Sequence, residues 1–336
     1  MPGETTLGGL HHVTAITGDA AGNVAFYTRV LGLRLVKKTV NQDDVSAYHL
    51  FYGDDEGHPG TEVTFFDWPS ASPNVPGCGS VGAIALAVPG PEAFAWWEKR
   101  LTDLGVRHGP ATAVDGRATL AFTDPEGQRL ELVDAGVGVR PDVRPWGKGP
   151  VPAEVALRGT YAVTVEVAAP APTLALLTNI LGFRQTGAYT DDRGAAVTLL
   201  ECGPGGSGAL VRVAVPRLAR RGAPGVGGVH HVAFRTADAP TQDAWHTRLR
   251  ATGLPLSPIV DRYYFRSIYF REPGGTLFEI ATDGPGFATD ESPEHLGEGL
   301  SLPPFLEPQR ATIEAGLRPL ETAKAPVGSG APDSDV

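Results

Sequence analysis

The chain has 336 residues and a formal net charge of −10, from 28 Lys+Arg against 38 Asp+Glu. Apart from the short PRLARR at 216–221 there is no basic run, so neither nucleic acid nor an anionic membrane is an expected partner. The length exceeds one typical domain, and 42% hydrophobic residues suffice for a sizeable core, so two domains or several repeated units are expected.

Cys78 and Cys202 have neither disulfide-framework nor CxxC spacing, which points to a reducing, cytoplasmic setting. The opening MPGETTLGG has no basic n-region or apolar h-region, so it does not read as a signal peptide. No run reaches the length of apolar residues that a membrane span needs. With 43 Gly and 30 Pro the chain is rich in turns, as a sheet protein is.

In chain order, a first unit (8–70) opens with an apolar strand at 10–17 and carries FYTRVLGLRLV at 26–36. A second (80–135) opens with a strand at 81–88. Its amphipathic helix, 91–104, has Phe94, Trp97 and Leu101 at helical spacing, and it closes on DPEGQRLELVDA (124–135). A Pro/Gly-rich linker spans 136–158. A third unit (159–216) opens at 160–167 and repeats the LG turn in LLTNILGFRQT (176–186). A fourth (227–284) opens at 229–236 and closes on EPGGTLFEIATD (272–283). An extension, 285–336, has a helix signal near 307–317 and a compositionally disordered end, APVGSGAPDSDV. The units are copies: Pro125, Gly127 and Glu131 align without gaps on Pro273, Gly275 and Glu279. Each reads βαβββ, with Gly suited to the turn that ends its helix.

Strand side chains alternate faces. In the four opening strands one series is apolar throughout: Val13 and Ala15; Ile84, Leu86 and Val88; Val163, Val165 and Val167; Val232 and Phe234. This series should pack on the helices. The opposite series is small or polar and should line a cavity, which places His12 and His231 there and leaves His11 and His230 on the other side. In the closing strands the same parity turns Glu131 and Glu279 inward. A carboxylate there is costly unless paired or bound to a cation.

The units differ in what they offer. The first gives His12 and Thr64, the second Ala83 and Glu131, the third Ala162 and Arg212, and the fourth His231 and Glu279. Only the first and fourth together supply two histidines and a carboxylate. The expected fold is therefore α+β: four βαβββ modules forming two barrel-like, half-closed sheets, module 1 pairing with module 4 and module 2 with module 3. Glu131 reads as a relic of duplication, satisfied by Arg129 or a backbone donor.

Two His and one carboxylate are the facial triad of non-haem Fe(II) oxygenases, leaving three positions for an aromatic hydroxyl and dioxygen. Taken singly, either histidine could simply cap a strand. A zinc or nickel lyase or isomerase would want a fourth protein ligand, and a two-residue slip from Thr64 would offer Glu62. A metal-free protein that sequesters a small aromatic is the third reading. His58, His108, His246 and His295 read as surface or loop residues. GPGGSG (203–208) lacks the Lys-Ser/Thr and helix of a phosphate cradle.

LHHVT, GVHHVAF and above all DRYYFRSIYFREPGGTLFEIATD (261–283) resemble the vicinal oxygen chelate (glyoxalase/extradiol dioxygenase) superfamily. Together with LGEGLSLPPFLEPQRATIE (296–314), they resemble its hydroquinone ring-cleaving dioxygenases of the 2,6-dichlorohydroquinone 1,2-dioxygenase type. That resemblance implies Fe(II), with Mn(II) as the alternative ion, and a dihydroxy-aromatic and O2 as substrates. It leaves room for a homo-oligomer. It puts the metal ligands at His12, His231 and Glu279 and surrounds them with His11, Thr14, His230, Arg262 and Tyr269. His11 or His230 would move a proton, Arg262 would hold negative charge, and Tyr269 would donate a hydrogen bond. Thr14, His49 and Tyr264 are expected against the substrate. One difficulty is parity: Arg262 and Tyr269 are seven apart, so an unbroken strand would point them oppositely unless a turn or bulge re-aims one.

Overall fold

The computed structural model describes residues 5–320, so the expected disordered end, from 321, lies outside the described residues. Sixteen strands form two eight-stranded sheets. The first quarter supplies β1 (Leu10–Thr17), β2 (Arg34–Asn41), β3 (Asp44–Gly53) and β4 (Glu62–Asp67). The second supplies β5 (Ser80–Val88), β6 (Thr112–Val114), β7 (Arg117–Thr123) and β8 (Arg129–Asp134). Next come β9 (Thr160–Glu166), β10 (Arg184–Thr190), β11 (Ala196–Glu201) and β12 (Leu210–Val215). The fourth quarter supplies β13 (Gly228–Thr236), β14 (Val260–Asp261), β15 (Arg266–Arg271) and β16 (Leu277–Thr282). One helix follows each opening strand: α1 (Ala20–Ala25), α2 (Pro91–Asp103), α3 (Pro170–Ala175) and α4 (Ala239–Arg250). A fifth, α5 (Arg310–Gly316), falls in the extension where a helix is expected. None of the described helices is long and apolar enough to cross a membrane.

The strand order of one sheet is β14-β15-β16-β13-β1-β4-β3-β2, which joins the first and fourth quarters. The other, β10-β11-β12-β9-β5-β8-β7-β6, joins the second and third. The seams are antiparallel, β1 on β13 and β5 on β9, while each opening strand runs parallel to the closing strand of its own quarter. The pairing expected from the distribution of histidines is the one found.

The apolar series of all four opening strands is buried in one continuous core with Trp97, Trp245, Phe234 and Phe278. Trp97 also donates its indole N–H to the Val155 carbonyl at 2.7 Å, fastening the linker to α2. The first and third helices run on into π-helical turns, Phe26–Val30 and Leu176–Ile180, which the chain leaves through Gly32 (φ 71°) and Gly182 (φ 76°), a left-handed conformation that glycine adopts without a Cβ clash. With these helices packed on the outer faces, the inner face of each curled sheet is free to carry polar groups.

In the β5/β9 sheet that inner centre is filled by an ion pair. Arg212 on β12 reaches over β9 and β5 to Glu131 on β8, Nη1 to Oε2 2.5 Å. This corrects the expected local partner. Arg129 turns instead to Glu166, at 3.4 Å, because that carboxylate stands nearer its own end of the strand. Arg212 is almost fully buried, so removing its partner strands a charge. Glu131→Ala should lower the unfolding free energy by about 2–3 kcal/mol, somewhat below the fully buried case because Glu131 keeps some solvent contact. Adding Arg212→Met should recover part of that loss. Urea denaturation of both variants checks this, and an unaffected single variant would show the pair to be idle.

Candidate metal centre

His12, His231 and Glu279 stand on three adjacent strands of the other sheet. The register sets His12 beside Ala233 and Ala233 beside Glu279, so the alternation of faces turns all three side chains to the same concave centre. His231 Nε2 lies 2.9 Å and His12 Nε2 3.3 Å from Glu279 Oε2, and the two Nε2 atoms are 3.2 Å apart. Three donors on one octahedral face with bonds of about 2.1 Å stand about 3.0 Å apart, so these edges suit a divalent cation such as iron or manganese. Glu279 Oε2 is buried and receives no aligned hydrogen bond, as a carboxylate oxygen kept for a cation would be. The other oxygen, Oε1, accepts from Ser267 Oγ at 2.5 Å.

The neighbouring histidines set the ring tautomers. His11 Nε2 is 3.1 Å from the Thr282 carbonyl, an acceptor only, so it carries the proton there. His11 Nδ1 stands 2.9 Å from His12 Nδ1 and 3.2 Å from Glu62 Oε2, so the His12 ring is held at Nδ1 with its Nε2 facing the centre. His230 repeats this on β13, its Nδ1 2.8 Å from His231 Nδ1. Burial, with His231 beside it, pushes the His230 pKa down to about 3, so it is neutral and able to accept. Burial would raise Glu279, but His12 and His231 hold it well below the usual carboxylate range. Burial lowers His231, whereas for His12 the neighbouring Glu279 outweighs burial and raises it.

Glu62 does not join the centre as a fourth ligand. Its Oε2 turns to the far side of the first histidine pair, 3.2 Å from His11 Nδ1. Thr64 is also engaged elsewhere, donating to Thr14 Oγ1 at 2.8 Å, and Thr14 Oγ1 lies 3.0 Å from His231 Nε2. His49 Nε2, 3.0 Å from Thr64 Oγ1, extends this chain to the cavity wall.

A cavity of about 40 Å³ opens from the exposed side of the histidines. Phe51, Phe66 and Phe265 supply its apolar walls, while Arg262 and Tyr269 stand at its polar side. The space left between these side chains is smaller than the ~150 Å³ of a closed site that admits benzene. The parity difficulty is resolved by a turn. β14 ends at Asp261, the backbone reverses through Tyr263 (φ 69°), and β15 begins at Arg266. Arg262 and Tyr269 thus face each other, Arg262 Nε donating to Tyr269 Oη at 3.3 Å. Burial and the Glu279 charge raise the Tyr269 pKa, so it stays a phenol.

Of the residues expected against a substrate, His49 and Tyr264 line the cavity. The Tyr264 hydroxyl is committed to Asp290 at 2.8 Å, so its ring is what remains for contact. Thr14 is fully buried and is not among the lining residues; it abuts His231. The remaining histidines bond locally, His58 to Asp54, His108 to Thr102, His246 to the Ser257 carbonyl and His295 to Glu298. Sequence reasoning passed over Ser267, although its even spacing from Tyr269 in an alternating strand places both on one face. It also passed over Gln42 and Asp43, which meet Arg262 from the other end of the chain.

The sequence model of the glyoxalase/bleomycin resistance protein/dioxygenase superfamily matches residues 9–132 and 162–280. The chain belongs to this superfamily. Its two curled sheets are the vicinal oxygen chelate fold. Among superfamily relatives, the chain is 44% identical over 317 residues to MhqA of Bacillus subtilis (strain 168), a protein named as a ring-cleaving dioxygenase, covering 94% of this chain and 99% of that one. It is 34% identical over 307 residues to the chlorohydroquinone/hydroquinone 1,2-dioxygenase of Sphingobium indicum, covering 89% and 92%. A solved Bacillus subtilis structure described as a dioxygenase superposes with a TM-score of 0.86 at 41% identity, covering 95% and 99%.

If the centre is the metal site, His231→Ala and Glu279→Ala should abolish tight binding of a divalent ion, and Glu131→Ala should leave it intact. His11→Ala should weaken it by about 10–100-fold, the usual effect of losing an outer partner of a ligand histidine. Chelator competition followed by metal analysis reads all four.

Proposed function

We propose that this protein is an Fe(II)-dependent ring-cleaving dioxygenase that inserts both atoms of O2 into a hydroquinone or related dihydroxy-aromatic. The observation that carries the reading is the buried His12, His231 and Glu279 set, with three close donors of one facial triad and an aromatic-walled cavity on its open side. The names of the relatives support the same chemistry. Glu62 Oε2 stands beside His11 Nδ1 and outside the His12, His231 and Glu279 set, and Thr64 is bonded to Thr14, which counts against a four-ligand zinc or nickel lyase.

Bound iron would supply the redox-active centre at which one ring hydroxyl and dioxygen meet. The rest is the work of the chain. Phe51, Phe66 and Phe265 hold the ring and exclude water from it. Tyr269 accepts from Arg262, so its own proton is free to be donated to a ring oxygen in the cavity. The Arg262 guanidinium fixes that hydroxyl and stabilises negative charge developing beside it. His11 and His230 keep both ligand imidazoles in the metal-binding tautomer. The hydrogen-bonded run His49–Thr64–Thr14 joins the cavity wall to the side of His231 and fixes the His49 ring at that wall.

Protein purified without oxygen should contain iron near one per chain and consume O2 when hydroquinone is added. Zinc or nickel with no oxygen uptake would overturn the reading. Tyr269→Phe should keep its metal and turn over about 10²-fold more slowly, the lower range for a lost acid–base group. An unchanged rate would remove Tyr269 from the chemistry.

A further inference from the structure

The mouth of the cavity is built by two segments far apart in sequence. One is the β2–β3 hairpin tip, Asn41, Gln42 and Asp43; the other is the turn from Arg262 to Phe265. Two contacts join them. Arg262 donates Nη1 to Asp43 Oδ1 at 3.1 Å and Nη2 to Oδ2 at 2.7 Å, a two-pronged fork. Gln42 donates its side-chain amide to the Arg262 carbonyl at 2.8 Å. The third guanidinium nitrogen, Nε, points inward to Tyr269, and the guanidinium lies 5.3 Å from the centre of that ring.

This geometry divides the arginine. Its fork, the edge that matches a carboxylate, is taken by Asp43, and only Nε serves the interior. Asp43 is also the one acid besides the permanent cation Arg262 among the cavity-lining residues, so the mouth is neutral as a pair. A ring carrying its own carboxylate would have to displace Asp43 from the fork, against repulsion from that acid. An uncharged ring meets neither obstacle.

We infer that Asp43 is a specificity-determining and positioning residue: by occupying the fork of Arg262 it tunes the site to uncharged para-diols, rejects ring-carboxylated ones, and holds Nε on Tyr269. This rests on the proposed dioxygenase reading. It goes beyond that reading in naming which diols are accepted and which residue decides.

The test compares hydroquinone with 2,5-dihydroxybenzoate, the same para-diol with one carboxylate. Iron content and oxygen uptake of the unaltered protein with hydroquinone are measured first, and their absence would count against the dioxygenase reading. Binding of both diols is then measured by anaerobic calorimetry, which does not depend on turnover, and kcat and KM are measured beside it. In Asp43→Asn and Asp43→Ala the preference for hydroquinone over 2,5-dihydroxybenzoate should fall at least tenfold, in binding as well as in kcat/KM. Asp43→Glu should restore most of it. In an Arg262→Met background, Asp43→Asn should no longer change the preference, because no cation is left to unmask. Unchanged preference in both Asp43 variants, or the same loss with Arg262 already replaced, would overturn the assignment. A general drop for both diols in equal proportion would likewise overturn it and leave Asp43 as a purely structural contact.

Discussion

Glu279 sits fully buried in the middle of a sheet, and a charge in that position must be met by one of opposite sign. Two imidazole nitrogens approach one of its oxygens, a serine hydroxyl satisfies the other, and the strands around it are arranged to deliver them. The same demand arises at Glu131 in the second sheet, where the duplicated position also places a carboxylate on the inner face. There the histidines are replaced by Ala83 and Ala162, and the guanidinium of Arg212 fills the space and supplies the charge from within. One architectural problem therefore has two solutions in one chain. One invites an external cation and the other makes it unnecessary.

Around the first centre, packing and electrostatics act together. The helices and the apolar strand face form one core, so the inner face can be given to polar groups without loss of the fold. His12 and His231 each lean on a neighbour in their own strand, and His11 is anchored in turn by the Thr282 carbonyl of the closing strand. The mouth brings residues from both ends of the chain together again, through Arg262 and Asp43. The extension adds support from outside, its Asp290 and Glu291 receiving the buried ammonium of Lys37 on β2, and Asp290 receiving the Tyr264 hydroxyl as well.

The convergence of His12, His231 and Glu279 was legible because strand alternation and internal duplication report on the same residues: His12 and Glu279 share a face by parity, and Ala83 and Ala162 show which quarters lack the set. The pairing of the quarters followed from that vacancy. What was not legible depends on long-range geometry. Arg129 is two residues from Glu131, yet Glu131 is met by Arg212 from another quarter, across two strands. Glu62 lies beside His12 in register, but its side chain turns to His11. The left-handed residue Tyr263 reverses the parity between Arg262 and Tyr269, and no composition signal marks it.

The pairing of first quarter with last, around a middle pair that is contiguous in sequence, has a consequence for how the molecule is made. The two middle quarters are neighbours along the chain and can close on each other while synthesis continues. β1, by contrast, must wait with its seam edge uncovered until β13 emerges from the ribosome, more than two hundred residues later. Unfinished chains therefore carry His12 without His231 or Glu279, and the three side chains meet only once the fourth quarter has been made and has paired with the first.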